Sequence, residues 1–426
     1  MNIRVPSNAA AIIKRLHSHG FEAYVVGGCV RDSLLHKKPN DWDITTSAKP
    51  EAVKSLFSVT IDTGIKHGTV TVMMGHEGYE VTTFRVDGDY SDGRHPDNVE
   101  FTASLTEDLK RRDFTINAMA YSADTGLVDE FGGIKDLNDR IIRAVGDPYE
   151  RFSEDALRML RALRFAAQLD FTIDGNTFAA VKELAHSIKR VSAERIAKEL
   201  EKLLVSGRPC DMQLVYSSGL MCHVLPDVAD FFKNDPSEAE KLLCALDSSG
   251  QNIVKTGEEK SLMRLRWSLL LLPLKSSKAG QALKQLKYDN ETINTVTKLT
   301  DLLMRPLEKN AEDIRRTMNA AGNLMSLLFA GRRALCDAGS NITESCVTFQ
   351  PEGIERAYEL FEEAVRENVP VTIADLAVNG SDLMAAGIPA GKQLGLALNE
   401  LLNIVLSDPS LNKKDLLIEK ALDCVK

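Results

Sequence analysis

The spacing of apolar residues changes about a third of the way along the chain. In roughly the first 150 residues, short runs of β-branched and aromatic residues alternate with helical stretches, a pattern typical of an α+β domain. The strands predicted there are Ala23 to Val26, Asp43 to Thr46, Thr69 to Met74, Tyr79 to Val86 and Arg140 to Val145. Beyond Asp147 and Pro148 the pattern predicts helices alone.

In the remainder, apolar residues recur every three or four positions, which predicts a succession of amphipathic helices. The first three are expected at Asp155 to Gln168, Thr177 to Ala185 and Ala193 to Leu204. Helix-breaking sequences at residues 206–209, 272–273 and 308–310 divide this helical part into smaller pieces.

Composition places the chain among ordinary multidomain proteins of the cytoplasm. Its 426 residues are 44% apolar and 27% charged, and no run of about 18 apolar residues predicts a membrane span. The N-terminus lacks the apolar stretch of a signal peptide, so we expect a cytoplasmic protein without a membrane partner. Seven cysteines without a Cys-x-x-Cys pair favour reduced thiols over disulfides or a zinc site. A net charge of −9 disfavours indiscriminate binding to nucleic acid.

Two glycines follow the first predicted strand. They let the chain turn tightly, so that backbone amides near Gly28 can face an anion, and Arg31 lies one helical turn further on. This pattern indicates a phosphate site, although an ordinary turn would have the same sequence.

Asp41 and Asp43 come shortly afterwards, two positions apart. On an extended strand they point to the same face, and paired carboxylates suit Mg²⁺, which keeps further positions for water and substrate phosphates. Glu80 could supply a third carboxylate if its strand lies beside theirs. The alternatives are a solvated strand end and a surface glutamate.

A second cluster follows at residues 111–118. Arg112 offers a guanidinium that matches phosphate oxygens, and Asp113 and Asn117 are spaced to lie together and to bond ribose hydroxyls. The alternative for Asp113 is a helix cap.

The sharpest helical signal is at residues 154–165. Helical spacing would place Asp155, Arg158 and Arg161 on one side, with Arg164 beyond them. A carboxylate accepts from the exocyclic amine of cytosine or adenine, while a guanidinium donates to the adjacent ring nitrogen; guanine and uracil present the opposite pattern. The pair could therefore select CTP and ATP over GTP and UTP. An intrahelical ion pair is the simpler alternative.

These motifs, in this order, resemble the bacterial tRNA nucleotidyltransferases, the CCA-adding enzymes of the class shared with bacterial poly(A) polymerases. The matching motifs are Gly27-Gly28 with Arg31-Asp32, Asp41-x-Asp43, Arg111-Arg112-Asp113 through Asn117-Ala118, Phe131-Gly132-Gly133 with Asp136-Leu137, Glu154-Asp155-x-x-Arg158 and Glu194-Arg195-Ile196. The resemblance implies an α+β fold: a polymerase β-like nucleotidyltransferase head with a mixed sheet at residues 1–150, then an all-helical neck at 151–206, body at 207–310 and tRNA-binding tail at 311–426.

The implied activity is addition of CMP, CMP and AMP from CTP and ATP to the 3′ end of tRNA, with release of pyrophosphate. Mg²⁺ is the implied cofactor. The residue roles implied are catalysis and metal binding for Asp41 and Asp43, metal binding for Glu80, and nucleotide binding for Gly28, Arg31, Arg112, Asp113, Asn117, Asp155, Arg158, Arg161 and Arg164.

Close alternatives share the same head. They are enzymes that add only CC or only A, a poly(A) polymerase, and an RNA-binding scaffold without activity. The polar loop from Asp87 to Asn98 favours full CCA addition, because we expect it to assist the change from C to A. The oligomeric state is open, with a homodimer as one candidate.

Overall fold

The structure is a computed structural model, and it describes residues 3–87, 99–250, 259–340 and 350–425. The chain forms two compact units, Met1–Ala229 and Asp230–Lys426. The predicted loop from Asp87 to Asn98 therefore lies, beyond Asp87, outside the described residues. Within those ranges, no helix combines the length and apolar character needed to cross a bilayer.

The first unit contains all the strands found among the described residues. In chain order they are β1 Ala23–Val26, β2 Ile44–Thr46, β3 Thr60–Gly64, β4 Thr69–Met74, β5 Glu77–Thr83, β6 Arg85–Asp87, β7 Val99–Phe101, β8 Ala120–Ser122, β9 Gly126–Val128, β10 Ile141–Ile142 and β11 Thr172–Ile173.

Seven of these strands form one mixed sheet in the order β3-β4-β5-β2-β1-β8-β9. Strand β1 is antiparallel to both of its neighbours, whereas β2 and β5 run parallel with Ile44 opposite Val81. All four residues of β1 are buried, which explains its unbroken apolar sequence. The predicted α+β head with a mixed sheet is confirmed.

The twelve helices described in or beginning in the first unit surround this sheet and continue beyond it. They are α1 Ser7–Ser18, α2 Gly28–Leu34, α3 Pro50–Leu56, α4 Leu105–Lys110, α5 Gly133–Asp139, α6 Pro148–Glu154, α7 Leu157–Leu169, α8 Gly175–Leu184, α9 Ala193–Leu204, α10 Met212–Ser217, α11 Met221–Val224 and α12 Pro226–Asn234. Helix α1 buries Ile12 and Leu16 completely, as its amphipathic sequence predicts.

Several strand predictions need correction. The predicted strand from Tyr79 to Val86 is two strands, β5 and β6, and Arg140 to Val145 contains only the two-residue strand β10. Strands β3, β8 and β9 lie outside the predicted set, although β3 pairs with β4 and β9 with β8, each a neighbour in sequence. Their sequences contain aspartate, glycine, serine or alanine, which are poor strand formers, so tertiary context decides their conformation.

One strand also lies beyond residue 148, where the sequence predicts helices alone. Strand β11 pairs in parallel with β10. The Thr172 amide donates to the Arg140 carbonyl at 2.9 Å, and the Asp174 amide donates to the Ile142 carbonyl at 2.9 Å. The segment between α7 and α8 thus pairs two of its backbone amides with carbonyl groups of the head domain.

The second unit is helical throughout its described residues, as predicted. Its helices are α13 Pro236–Ser249, α14 Glu259–Leu270, α15 Lys275–Gln285, α16 Asn290–Leu303, α17 Ala311–Ala321, α18 Met325–Asp337, α19 Pro351–Arg366, α20 Gly380–Ala385, α21 Lys392–Ser407 and α22 Lys414–Val425. A fully buried Arg332 donates to Glu308 at 2.6 Å inside this unit. The four-part division into head, neck, body and tail stays a prediction.

Candidate active site

The turn between β1 and α2 is built around Gly27. This residue has φ +79°, a conformation that favours glycine, and its amide donates to the Met119 carbonyl at 3.1 Å. A Cβ atom at this position would lie 3.3 Å from Nη1 of Arg112. The missing side chain therefore lets the Arg112 guanidinium approach the backbone beside Gly28.

Arg31, one turn into α2, is held from two sides. Its Nη1 donates to Oδ1 of Asn117 at 2.7 Å, and its Nε donates to Oδ1 of Asp32 at 2.8 Å. The residue is buried. These contacts join the glycine turn to the segment that contains Arg112.

Asp41 and Asp43 lie just before β2 and not within it, which corrects the predicted strand from Asp43 to Thr46. The pairing nevertheless continues, because the Val26 amide donates to the Asp43 carbonyl at 3.0 Å. Glu80 lies on β5, one position before Val81, which faces Ile44. The structure thus places the strand of Glu80 beside β2, which Asp43 immediately precedes.

The surroundings of Asp43 are acidic. Partial loss of hydration, together with Glu80 and Asp41, raises the pKa of Asp43, and Arg112 opposes this shift. A carboxylate whose charge is disfavoured in this way gains from a cation. The donor set of Asp41 and Asp43 therefore fits a hard divalent ion that keeps its other positions for water and phosphate.

A preformed three-residue metal cluster is not part of this arrangement. In the part of the chain that the structure describes, no three histidine, cysteine or carboxylate side chains are placed to hold one metal ion. The role of Glu80 as a third ligand stays a prediction.

Asp108 organises the arginines and was not identified from the sequence. It is fully buried and accepts hydrogen bonds from Thr45 Oγ1 at 3.0 Å, Arg111 Nη2 at 2.8 Å and Arg112 Nη2 at 3.2 Å. Burial raises its pKa, but the two arginines outweigh burial and lower it. The spacing of three and four residues between Asp108 and these arginines is the signal that could have revealed it.

Asp113 and Asn117 contact one another as predicted. Asn117 Nδ2 donates to Asp113 Oδ1 at 3.1 Å, across a turn with one short 3-10 helix at Thr115–Asn117. Arg161 binds Oδ2 of Asp113 through Nε at 2.8 Å and Nη2 at 2.6 Å. Burial raises the pKa of Asp113, but Arg161 and Asn117 outweigh it and hold the pKa at about 2.

Phe165 is a second residue that the sequence analysis missed. The guanidinium groups of Arg31, Arg161 and Arg164 lie 5.1, 5.5 and 3.6 Å from the centre of its ring. Its edge-to-face partner is Phe114, with ring centres 5.7 Å apart. Three cations around one aromatic ring link helix α7 to the arginine of α2.

The predicted helix from Asp155 to Gln168 begins later than expected, at Leu157, so Asp155 lies outside it. It has extended backbone angles, φ −139° and ψ 103°, between α6 and α7. One carboxylate oxygen accepts from the Leu157 amide at 3.0 Å and the other from Arg195 Nη2 at 2.7 Å. Aspartate favours such a capping position because its short side chain can bond the first free amides of a helix.

Arg158 is held by different partners. Its Nη1 donates to Glu154 at 2.5 Å, and its Nη2 donates to the Arg111 carbonyl at 3.1 Å. Asp155 and Arg158 are both described, and no ion pair joins them. Each is fixed separately, and each carboxylate oxygen of Asp155 keeps a lone pair for another donor.

Arg164 is buried deeper than the other site arginines. Its Nε donates to Glu199 at 2.7 Å and its Nη1 to Gln168 at 2.7 Å. The structure thus joins Arg31, Asn117, Asp113 and Arg161 in one chain of hydrogen bonds, and Arg164 packs on the same Phe165 ring as Arg31 and Arg161. Gly28 and Arg112 lie beside this chain at the Gly27 turn, with Arg112 held by Asp108.

Comparison with known proteins shows which family this chain belongs to. A CCA-adding enzyme from Pediococcus pentosaceus is 37% identical to this chain over 410 residues and covers 95% of each sequence. A CCA-adding enzyme from Levilactobacillus brevis is 38% identical over 419 residues and covers 97% of each. The chain belongs to the CCA-adding enzymes.

A solved CCA-adding enzyme shares the fold over nearly the whole length. The Bacillus stearothermophilus enzyme, in complex with CTP, is 32% identical, covers 98% of this chain and 97% of its own, and superposes with a TM-score of 0.76. The predicted resemblance to tRNA nucleotidyltransferases is confirmed.

Family models match three parts of this chain. Residues 23–143 match "Poly A polymerase head domain", residues 170–232 match "Probable RNA and SrmB- binding site of polymerase A", and residues 263–421 match "tRNA nucleotidyltransferase domain 2 putative". CCA-adding enzymes are nucleotidyltransferases that use a divalent metal and act on tRNA.

Proposed function

We propose that this chain adds CMP, CMP and AMP in turn to the 3′ end of tRNA, with CTP and ATP as the donors and Mg²⁺ as the metal. The observation that carries the proposal is the position of Arg112. Its guanidinium approaches the Gly27 backbone, and its charge also acts on Asp43. The turn proposed to bind phosphate also lies beside Asp43, because Val26, directly before Gly27, donates to the Asp43 carbonyl at 3.0 Å.

The two arginines of the site, Arg31 and Arg112, suit a triphosphate. Arg31 and Arg112 are both fixed by carboxylate or amide partners, Asp32 and Asn117 for the first and Asp108 for the second. Fixed cations bind phosphate without losing side-chain freedom at the moment of binding. Asp113 and Asn117 would bond the sugar, with Arg161 and Arg164 as supporting cations.

The carboxylates of Asp41 and Asp43 suit the groups that react, the tRNA 3′-hydroxyl and the α-phosphate. A divalent ion on Asp41 and Asp43 would supply the positive charge that favours ionisation of the tRNA 3′-hydroxyl and offsets charge on the phosphates. The 3′-oxygen forms a bond to the α-phosphorus, and the bond from that phosphorus to the leaving oxygen breaks as pyrophosphate departs. Arg31 and Arg112 would hold the triphosphate in line for this exchange.

Selection of the base falls to Asp155 and Arg158. Asp155 would accept from the exocyclic amine of cytosine or adenine, and Arg158 would donate to the neighbouring ring nitrogen. In UTP or GTP, a carbonyl oxygen would face the Asp155 carboxylate and a ring N–H would face the Arg158 guanidinium. Neither pair can form a hydrogen bond, at a cost of about 1–3 kcal/mol for each unpaired group. Separate anchoring of the two side chains supports a rigid reading surface.

The test is transfer of labelled CMP and AMP to tRNA that lacks its CCA end, in the presence of Mg²⁺. We expect labelled tRNA with the unaltered chain and a loss of at least a thousandfold with Asp43→Asn. Absence of transfer by the folded, unaltered chain would refute the proposal. A cytoplasmic location and a homodimer stay predictions.

A further inference from the structure

Arg195 belongs to a sequence motif, Glu194-Arg195-Ile196, to which the proposed function gives no contact with the nucleotide. It lies in the first turn of α9, which packs against α7, the helix that carries Arg158. Glu199 of α9 accepts from Arg164 of α7 at 2.7 Å, and this contact ties the two helices together. Arg195 is therefore held beside the residues proposed to read the base.

The two carboxylate oxygens of Asp155 face different elements. Oδ1 accepts from the Leu157 amide at 3.0 Å, and Leu157 directly precedes Arg158 on α7. Oδ2 accepts from Nη2 of Arg195, on α9, at 2.7 Å. A base amine bound to this carboxylate therefore has Arg158 on one flank and Arg195 on the other.

Arg195 has a hydrogen-bond donor without an acceptor. In the part of the chain that the structure describes, its buried Nη1 atom has no hydrogen-bond partner. Such a donor costs free energy, so an acceptor that arrives with a ligand is favoured there. The side chain as a whole is 22% exposed, so a ligand can reach it.

The neighbouring Arg161 is engaged more fully. Its Nε and Nη2 both bind Asp113, at 2.8 and 2.6 Å, and its Nη1 lies 3.9 Å from Glu199. The unpaired donor beside Asp155 therefore belongs to Arg195.

Adenine and cytosine differ on the flank that Arg195 faces. The exocyclic amine of adenine lies between two acceptors, the ring nitrogens N1 and N7. The amine of cytosine lies between one acceptor, N3, and a C5–H group, which accepts nothing. With N1 or N3 turned towards Arg158, Arg195 meets N7 of adenine but C5–H of cytosine. Adenine therefore offers Arg195 an acceptor that cytosine lacks.

We propose that Arg195 is a specificity-determining residue for the addition of AMP, and that its guanidinium donates a hydrogen bond to N7 of the ATP base. This inference rests on the proposed function, because it assumes that Asp155 and Arg158 read the base of both nucleotides. Those two residues separate C and A from U and G, and Arg195 adds a contact that ATP makes and CTP does not.

An ATP analogue without N7 tests the inference on the unaltered chain. In 7-deaza-ATP a C–H group replaces N7, and the amine and N1 remain. With tRNA ending in CC and Mg²⁺, we expect kcat/KM for 7-deaza-ATP to be about tenfold below that for ATP, the size expected for loss of one hydrogen bond from a charged donor. Equal values for the two nucleotides would overturn the inference.

Arg195→Ala separates the contact with N7 from the anchoring of Asp155. Loss of anchoring should lower kcat/KM for ATP and 7-deaza-ATP alike, because both bases keep the amine. Loss of the contact with N7 should also remove the difference between them, so the ratio of the two values should fall from about ten to about one. A ratio that stays near that of the unaltered chain would assign recognition of N7 to another residue and overturn the inference.

Two controls guard against a general loosening of the site. The preference for ATP over 1-deaza-ATP, which lacks the acceptor for Arg158, should persist in Arg195→Ala. Arg190→Ala, which removes an exposed arginine nearby in sequence, should keep both preferences. Loss of both preferences in Arg195→Ala would show a disordered site instead of one lost contact, and would count against the inference.

Failure of the inference and failure of the proposed function give different results. If the unaltered chain adds AMP equally well from ATP and 7-deaza-ATP, the contact with N7 is wrong and the proposed function stands. If the unaltered chain adds neither CMP nor AMP, the proposed function fails and takes the inference with it.

Discussion

The Asp155 carboxylate accepts a hydrogen bond from Arg195 at 2.7 Å, whereas Arg158 donates to Glu154 and to the Arg111 carbonyl. The two side chains proposed to read the base are therefore anchored independently. Change at one position need not displace the other. This separation allows the contribution of each to base selection to be measured by single substitutions.

Asp155→Asn tests the donor and acceptor logic with little change in shape. An amide can donate to O4 of uracil or O6 of guanine, which a carboxylate cannot do. We expect the preference for CTP over UTP to fall at least tenfold in competition assays on tRNA lacking CCA. An unchanged preference would contradict the role of Asp155 in reading the base.

Arg195→Ala tests whether anchoring of Asp155 matters. Loss of the 2.7 Å contact frees the Asp155 side chain, so we expect the preference for CTP over UTP to fall several-fold. The control is Arg190→Ala, which removes an exposed arginine nearby in sequence. Equal effects of the two variants in the competition assay would show that anchoring has no part in selection.

Gly27→Ala tests the close approach of Arg112 to the turn. Strain at φ +79° should destabilise the fold by about 1–3 kcal/mol, and the new Cβ, 3.3 Å from Arg112 Nη1, should also raise KM for CTP. Gly20 has φ +81° and nothing within 4 Å, so Gly20→Ala should be strained without raising KM. An unchanged KM for CTP in Gly27→Ala would argue against a role in CTP binding for the contact between Arg112 and this turn.

Asp113 should contribute stability that depends on pH. Its folded pKa of about 2 lies below the ordinary value of 3.8, so the unfolded chain takes up the proton first as pH falls. The contribution, roughly 2 kcal/mol, is complete above pH 4 and is lost as pH falls towards 2. Denaturant unfolding should show Asp113→Asn less stable by at least this amount at pH 7, with a smaller difference at pH 3.

The control for that experiment is Asp139→Asn. This aspartate forms an exposed pair with Lys135 at 2.9 Å, and such pairs contribute little. We expect its unfolding free energy to stay within about 0.5 kcal/mol of the unaltered chain at both pH values. A difference for Asp113→Asn that stays constant down to pH 3 would contradict the lowered pKa.

Local sequence patterns predicted the parts of the site that lie close together in the chain. Strands β1 and β4 have the predicted bounds, and Asp113 contacts Asn117 as its spacing indicates. The strand of Glu80 lies beside β2, which follows Asp43 directly, and this prediction required a correct assumption about strand neighbours.

Features that depend on distant contacts were not predictable in this way. Asp108 binds Thr45, 63 positions away in sequence. The Phe165 ring contacts arginines of two helices, α2 and α7. The break at Asp155 was hidden because residues 154–165 read as one helix. Its cause is a capping bond and a contact with Arg195, 40 positions away.

Full CCA addition is tested most directly by the sequence of the 3′ ends made from tRNA lacking CCA. We expect CC with CTP alone, CCA with CTP and ATP together, and no addition to that tRNA with ATP alone. Products that end at CC with both nucleotides would show a CC-adding enzyme. A single A on tRNA that already ends in CC, without any CMP addition, or a long run of A, would likewise contradict full CCA synthesis.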